Sequence, residues 1–313
     1  MKSLRLHLRV LLGLSLISAS FANAAPLQQT HVASDAIWFA HLDLDQLKKT
    51  GLGQHILAEA KKPEAKARLA AFEMIFNFDP LKSLRGVTAY SSGANPQDAV
   101  LLVLGKFDTS RLETLARAGK EYESSKHRSY VIHSWIDEKK PGKPRTYGAI
   151  HGDGVVVFGQ KAGRVGEALD VLDKDRPGLG NSSKLSELAA SASSAHFLAA
   201  VRRPELVNNK PGAGMLKHFE TLSVVSSEQG DQLVTEFAAK VDTAQTARHV
   251  ATMSQGLFSL LALQSDNPGA MKLAQGATVA ESGDRVVTTF TLATADFIQM
   301  MKDAEARKKA AKP

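Results

Sequence analysis

A short segment of this chain recurs in its second half, and the recurrence limits the folds that the chain can adopt. Residues 106–110 read Lys-Phe-Asp-Thr-Ser, and residues 240–244 read Lys-Val-Asp-Thr-Ala. Each copy follows an apolar run typical of a strand and precedes a pattern typical of a helix. Because Asp, Thr and Ser are common helix-capping residues, the repeated segment predicts a strand-to-helix junction in each half.

A second pair of segments supports an internal repeat. Residues 152–156 (Gly-Asp-Gly-Val-Val) correspond to residues 283–287 (Gly-Asp-Arg-Val-Val), and the apolar face of a closing helix follows in both halves, at Leu169 and at Met300. We therefore predict an α+β fold of two tandem, duplicated modules, each an antiparallel or mixed sheet with helices packed on one face. Chance resemblance stays open as the alternative, because few residues are identical.

The apolar pattern of each half predicts a similar order of elements. The first half predicts a strand over 36–42, helices over 45–60 and 64–76, a hairpin over 84–91 and 99–107, a helix from residue 110, strands over 129–137, 145–150 and 155–159, and a helix over 164–172. The second half predicts a strand over 195–201, a shortened helix over 214–220, a hairpin over 222–226 and 232–241, and a helix over 244–263. The second half lacks most of the hairpin that the first half is predicted to form over 129–144.

The N-terminus has the three parts of a secretory signal peptide. Lys2, Arg5 and Arg9 form a basic region, an apolar stretch covers residues 10–21, and residues 22–24 read Ala-Asn-Ala. The apolar stretch is shorter than the roughly 20 residues that a membrane span requires. We expect residues 1–24 to be removed, leaving a periplasmic or secreted bacterial protein with no transmembrane segment in the mature chain. The alternative is an amphipathic first helix of a cytosolic protein.

The remaining chain is predicted to divide in two. Residues 176–183 are rich in glycine, proline and serine, which favours a linker. We expect a first α+β module over 25–175, a linker with a short helix over 176–192, a second α+β module over 193–303, and a basic flexible tail over 304–313.

Composition narrows the function classes. The chain has no cysteine, so it has neither disulfides nor a lipid-modified cysteine, and its 43% hydrophobic and 23% charged residues are typical of a globular protein. Loss of the signal peptide lowers the formal net charge from +7 to +4. Much of the basic excess lies in short clusters, such as Lys48-Lys49 and Lys139-Lys140, that are typical of solvated ends and loops. These clusters are not interleaved with aromatic side chains, so we expect no nucleic-acid partner.

One segment has the residue types of a metal site. His41, Asp43 and Asp45 alternate along an extended segment, which places an imidazole and two carboxylates on one face. The corresponding positions of the second half hold alanine, arginine and proline. We therefore assign no metal ligand here and expect Asp43 and Asp45 to start the following helix.

The other candidate residues form no recognised catalytic or cofactor motif. His127, His133 and His151 lie in or near predicted strands without zinc-ligand spacing, and His133 is expected to share a face of the hairpin with Trp135. Nucleophile motifs and phosphate-binding glycine loops are missing from the sequence. We assign no catalytic, cofactor-binding or metal residue and no cofactor.

Three functions remain open. The first is an exported envelope protein that acts as a non-catalytic binding or interaction scaffold for another envelope protein, a polymer or a ligand. The alternatives are a hydrolase or metal-dependent enzyme with a dispersed site, and a carrier or chaperone for apolar ligands. The sequence favours a role without catalysis but does not decide the question. An apolar cavity would favour the carrier, and we expect the distinguishing features in the 129–144 hairpin and in the cleft between the halves.

Overall fold

A computed structural model describes residues 26–180, 185, 194–206, 213–264 and 268–310. The predicted signal peptide, most of the predicted linker and the last three residues lie outside these ranges. The statements that follow refer to the described residues.

The strands of both halves form one antiparallel sheet of twelve strands. The order across the sheet is β11-β12-β10-β9-β8-β1-β2-β3-β7-β6-β5-β4. The strands are β1 (Trp38–Asp43), β2 (Leu84–Ser91), β3 (Ala99–Gly105), β4 (Glu123–His127), β5 (Tyr130–Ile136), β6 (Arg145–His151), β7 (Val155–Gly159), β8 (Phe197–Arg202), β9 (Phe219–Gln229), β10 (Gln232–Val241), β11 (Ala277–Ser282) and β12 (Arg285–Ala293).

Helices follow the strands in both halves, which confirms the α+β class. They are α1 (Leu44–Leu47), α2 (Gly51–Ala60), α3 (Pro63–Phe76), α4 (Pro80–Ser83), α5 (Thr109–Arg117), α6 (Ala162–Leu172), α7 (Ala244–Ala262), α8 (Pro268–Gln275) and α9 (Thr294–Ala310). Short 3₁₀ turns cover Gln29–His31, Pro96–Asp98, Pro204–Leu206 and Ala213–His218.

The two halves meet where β1 pairs with β8. The register places Ala40 opposite Ala199 and His41 opposite Leu198. Outward from this seam, the first half runs β1-β2-β3-β7-β6-β5-β4 and the second runs β8-β9-β10-β12-β11. The sheet is therefore continuous. The five strands nearest the seam follow the same order on both sides, and the first half adds β5 and β4 at its edge.

The prediction that helices pack on one face of the sheet in each half is wrong for the first half. Helix α6 packs on the face of β7 that carries Val157, whereas α5 covers the opposite face, which carries Val156 and Phe158. The physical reason lies in β7, where consecutive apolar residues point to opposite faces of the sheet. Both faces of these strands must be covered to keep apolar surface from water.

The larger core lies under α6. Val165, Leu169 and Val171 are buried there against Leu102 of β3 and Val157 of β7. The same cluster includes Leu198 and Ala200 of β8, so the core of the first half extends across the seam. A smaller cluster joins α7 to the sheet of the second half through Val241, Ala247, Ala251 and Val286.

The repeated Asp-Thr segment lies at a strand-to-helix junction in each half. Asp108 is the N-cap of α5, where its Oδ1 accepts a hydrogen bond from the Arg111 N–H at 3.0 Å. The N-cap of α7 is instead Thr243, whose hydroxyl accepts from the Thr246 N–H at 3.1 Å. The two copies share the junction and differ in the residue that caps it.

The helix predicted over 45–60 is two helices. Thr50 is the N-cap of α2 and accepts a hydrogen bond from the Gly53 N–H at 2.9 Å. A Cβ at Gly53 would lie 1.7 Å from the carbonyl oxygen of Leu47. Glycine therefore allows the end of α1 to approach the first turn of α2, and the chain changes direction there.

Candidate ligand-binding site

Helix α5 lies across β5, β6 and β7 and encloses a cavity of about 330 Å³ between itself and the sheet. Leu112, Leu115 and Ala116 of α5 form one wall. Their spacing of three and four residues places them on one face of the helix. The cavity is lined almost entirely by apolar side chains and opens to solvent.

The floor of the cavity comes from alternate residues of the sheet. Trp135 of β5, Ile150 of β6, and Val156 and Phe158 of β7 line it. The Trp135 and Phe158 rings meet edge to face, with centroids 6.5 Å apart and an angle of 87° between the rings. Edge-to-face contact is a favoured arrangement of aromatic rings, and it gives the floor a defined shape.

Two glycines leave room for the aromatic floor. A Cβ at Gly119, just after α5, would lie 2.7 Å from the Trp135 Cβ. A Cβ at Gly148 of β6 would lie 3.2 Å from the Trp135 ring and 3.3 Å from the Phe158 ring. Glycine at these positions therefore lets the helix and the rings approach each other without closing the cavity.

Phe76, at the end of α3, forms the rim of the cavity. Its ring stacks on Phe72 with centroids 4.3 Å apart, and Phe78 bridges this pair to Phe107. Asn77 donates a hydrogen bond of 2.7 Å to Asp108, the N-cap of α5. The end of α3 is thus attached to the start of α5, and both sides of the cavity mouth are fixed by contacts within the first half.

His133 brings a polar group into this apolar lining. It is only 4% exposed, and its Nδ1 lies 2.9 Å from the hydroxyl oxygen of Tyr122. Burial, with a smaller effect of the Arg117 guanidinium, lowers the pKa of His133, while the Glu113 carboxylate opposes the shift. The imidazole is therefore neutral at pH 7.

Glu113 is the charged residue of the lining. Its side chain is 46% exposed, and its Oε2 lies 3.4 Å from the Arg117 guanidinium on the next turn of α5. This exposed ion pair contributes little to stability because water screens it. It places both a negative and a positive charge near the cavity mouth.

The expectation that His133 and Trp135 share a face of the hairpin is confirmed, because both line the cavity. The other two histidines of that region belong elsewhere. His127 Nε2 lies 2.8 Å from Asp170, and His151 Nε2 lies 2.9 Å from Asp173, so both pair with acids at the end of α6. They therefore belong to the opposite face of the sheet.

The His41, Asp43 and Asp45 triplet is divided between two environments. His41 is buried, with its Nδ1 2.9 Å from the Thr88 hydroxyl, and Asp43 is buried as the N-cap of α1. Asp45 lies in α1, 3.0 Å from the Arg85 guanidinium and 3.5 Å from the Lys48 ammonium. The expected helix start at Asp43 is confirmed. Across the described ranges, the structure contains no group of three or more His, Asp or Glu placed to hold a metal ion.

A second apolar surface lies at the seam. Trp38, Ala40, Ala199, Val201 and Phe237 line an open groove of about 280 Å³ on the outer face of β1, β8, β9 and β10. This is where the sequence suggested a cleft between the halves. The groove is shallower than the cavity under α5, and its lining brings no histidine or acidic side chain to a ligand.

Sequence reasoning missed most of the α5 cavity. The sequence indicates ordinary helix or strand positions for Phe76, Leu112, Leu115, Ala116 and Phe158. The apolar face of α5 was the available signal, but an apolar helix face predicts contact with a sheet and does not predict a gap beneath it.

Comparison with known proteins gives a likeness in fold. No protein-family model matches the sequence, and no curated protein matches it. Among solved structures, crystal form III of TP0453 superposes with a TM-score of 0.50 at 9% identity and covers 89% of this chain and 99% of that chain. Crystal form I of TP0453 gives a TM-score of 0.49 at 10% identity, covering 90% and 98%. At this identity the likeness concerns the fold alone.

Within the described residues, no helix combines the length and the apolar character that crossing a membrane requires.

Proposed function

We propose that this protein is exported to the cell envelope and binds a small apolar ligand in the cavity between α5 and the sheet, without transforming it. One observation carries the proposal: a cavity of about 330 Å³ lined by leucine, isoleucine, valine and aromatic side chains. Binding pockets for small molecules commonly have about this volume and this kind of lining. Of the three functions left open by the sequence, the carrier of apolar ligands is favoured.

The energetics of the cavity support binding. An apolar ligand removes its own surface and that of the lining from water. This burial stabilises the complex by roughly 25 cal/mol per Å² of apolar surface. The hydrogen bond between Asn77 and Asp108 attaches the end of α3 to the start of α5, which limits the reorganisation that binding requires at the cavity mouth. The lining supplies His133 and Glu113 as its titratable side chains and no serine or threonine nucleophile, so a binding role needs fewer assumptions than a dispersed-site hydrolase.

A cavity-filling variant tests this proposal. Ala116→Phe places a ring in the space beneath α5, whereas Thr114→Phe adds the same ring to the exposed side of the same helix. The probe is N-phenyl-1-naphthylamine, a neutral dye whose fluorescence rises in apolar surroundings. We expect saturable binding to the wild type and to T114F, and at least tenfold weaker binding to A116F. Equal binding to all three proteins would refute the cavity as the site.

Export and domain organisation are part of the proposal. Residues 1–24 act as a cleaved signal peptide, so the intact mass of protein recovered from the periplasm or the medium should correspond to a chain beginning at Ala25. An uncleaved chain confined to the cytosol would contradict this. Of the partners that the sequence leaves open, which are an envelope protein, a polymer or a ligand, the cavity favours a small apolar ligand.

We also propose that residues 25–175 and 193–303 descend from one duplicated module, joined by the linker over 176–192 and followed by a basic tail over 304–313. The matching order of the five strands nearest the β1–β8 seam on each side supports this. Leu179 and Leu185 of the linker are buried in the core, so limited proteolysis should cut first within the terminal tail over 304–313 and only later within 176–192. First cuts within the strands on either side would contradict the division.

A further inference from the structure

We propose that the ligand carries a neutral oxygen acceptor beside its apolar body, and that the Nε2–H group of His133 recognises this oxygen. The inference deepens the proposed function and rests on it, since it names the chemical class of the ligand that the α5 cavity takes. It makes His133 the residue that determines specificity within an otherwise apolar site.

The hydrogen bonds of His133 leave one ring nitrogen for a ligand. Its Nδ1 is engaged by the Tyr122 hydroxyl at 2.9 Å. In the part of the chain that the structure describes, Nε2 has no hydrogen-bond partner and keeps accessible surface, so water reaches it from the cavity that His133 lines. A ligand oxygen that accepts from Nε2 replaces this water and keeps the hydrogen bond, whereas a ligand without an acceptor displaces the water and leaves the donor unpaired.

The contact with Tyr122 sets the tautomer. A neutral imidazole has one N–H donor and one acceptor nitrogen, and the hydrogen bond at one nitrogen decides the role of the other. A phenolic O–H is a stronger donor than an imidazole N–H, so Tyr122 donates and Nδ1 accepts. The proton of the ring therefore lies on Nε2, and the cavity offers a donor rather than an acceptor to its ligand.

The apolar lining selects a neutral oxygen over a carboxylate. A carboxylate would pay the cost of leaving water for an apolar cavity. Neither the neutral imidazole of His133 nor Glu113, which is already paired with Arg117, offsets that cost. The class that fits is therefore a ketone, ester, ether or alcohol attached to an apolar body of aromatic or branched aliphatic shape.

Two isosteric probes test this inference. 2-Acetylnaphthalene carries a C=O group where 2-isopropenylnaphthalene carries C=CH₂, so the pair differs in the acceptor oxygen and hardly in shape. The quantity of interest is the ratio of their affinities, measured by calorimetry or by displacement of N-phenyl-1-naphthylamine. The two probes also differ in the free energy of their transfer from water. This difference is the same for every variant, so it cancels when the affinity ratios of the variants are compared.

Three variants separate hydrogen bonding from packing. His133→Phe keeps a ring and removes the donor, His133→Gln keeps a side-chain N–H, and Tyr122→Phe removes the group that sets the tautomer. One neutral hydrogen bond corresponds to about a three- to tenfold change in affinity. We expect the ketone-to-alkene ratio to fall by that factor in H133F, to fall in part in Y122F, and to be retained in H133Q.

The outcomes distinguish the inference from the function on which it rests. If both probes bind the wild type, A116F blocks them, and H133F leaves the ratio unchanged, the inference on His133 is overturned and the proposed function stands. If neither probe binds, or if A116F binds them as well as the wild type does, the proposed function fails and the inference fails with it. Thermal denaturation identifies any variant that does not fold. If H133F does not fold, the affinity ratios of H133Q and Y122F test the role of the His133 donor.

Discussion

His133 and Trp135 lie two residues apart on one face of β5, and both side chains line the cavity beneath α5. The strand thus places a hydrogen-bonding group and a large aromatic ring beside the same apolar space. The backbone alternation that achieves this also directs Ile132 to the opposite face, where it joins the core under α6. The hairpin that distinguishes the first half from the second therefore contributes both to a core and to a cavity.

The core under α6 should be far more sensitive to truncation than the cavity under α5. Leu169 is fully buried, so Leu169→Ala should lower the free energy of unfolding by about 2–5 kcal/mol. Leu115 lines a space that is already open to solvent, and Leu115→Ala should cost less than half as much. Urea denaturation measures both values. Equal losses would show that the space beneath α5 is packed in solution.

Stability should fall as the pH drops below about 6.5. Burial lowers the pKa values of His133, His196 and His31 in the folded state, below the ordinary value of 6.5. In the window just below pH 6.5 the unfolded chain therefore binds more protons than the folded chain, so unfolding becomes more favourable as the pH decreases. Melting temperatures from pH 7.5 to 5 should show this loss.

The His133→Phe variant isolates one contribution to that pH dependence. Because phenylalanine does not titrate, the variant should lose less stability than the wild type between pH 7 and 5, with His196 and His31 supplying the remaining slope. Identical slopes in the two proteins would mean that His133 is not buried as a neutral imidazole. The depressed pKa values of carboxylates such as Asp108 act at lower pH and do not interfere.

Two neighbouring aspartates should differ in their effect on stability. Asp43 is 1% exposed and caps α1 by accepting a hydrogen bond of 2.8 Å from the Gln46 N–H. Asp43→Ala should therefore cost about 1 kcal/mol. Asp45 makes partly exposed ion pairs with Arg85 and Lys48, so Asp45→Ala should change stability by less than about 0.5 kcal/mol. Chemical denaturation compares the two variants, and a larger loss in D45A would reverse the assignment of the cap.

Local patterns predicted those elements whose apolar residues alternate clearly. The hairpin of β2 and β3 and the strand over 232–241 were predicted close to their observed bounds. The edge strand β4 was missed because it reads Glu-Ser-Ser-Lys-His and buries none of these side chains. Edge strands are commonly polar, which protects them from pairing with other chains. A polar strand lacks the alternation of apolar and polar residues by which strands are predicted.

Long-range relationships could not be predicted from the sequence. The pairing of Ala40 with Ala199 joins residues far apart in the chain, and no local signal specifies it. The cavity depends on the distance between α5 and the sheet, which Gly119, Gly148 and the phenylalanines near Phe76 set together. The sequence places His133 on the hairpin, but its role as a polar group in an apolar cavity depends on the position of α5.

Quenching of single-tryptophan variants tests the central claim most directly. The chain has two tryptophans, of which Trp135 lines the cavity and Trp38 lines the groove at the seam. 1-Bromohexane, an apolar quencher that acts on contact, is titrated into Trp38→Phe, in which Trp135 emits alone, and into Trp135→Phe, in which Trp38 emits alone. We predict saturable quenching of Trp135 that Ala116→Phe abolishes, with weak and non-saturable quenching of Trp38. Saturable quenching of Trp38 with no effect on Trp135 would contradict the cavity under α5 as the ligand site.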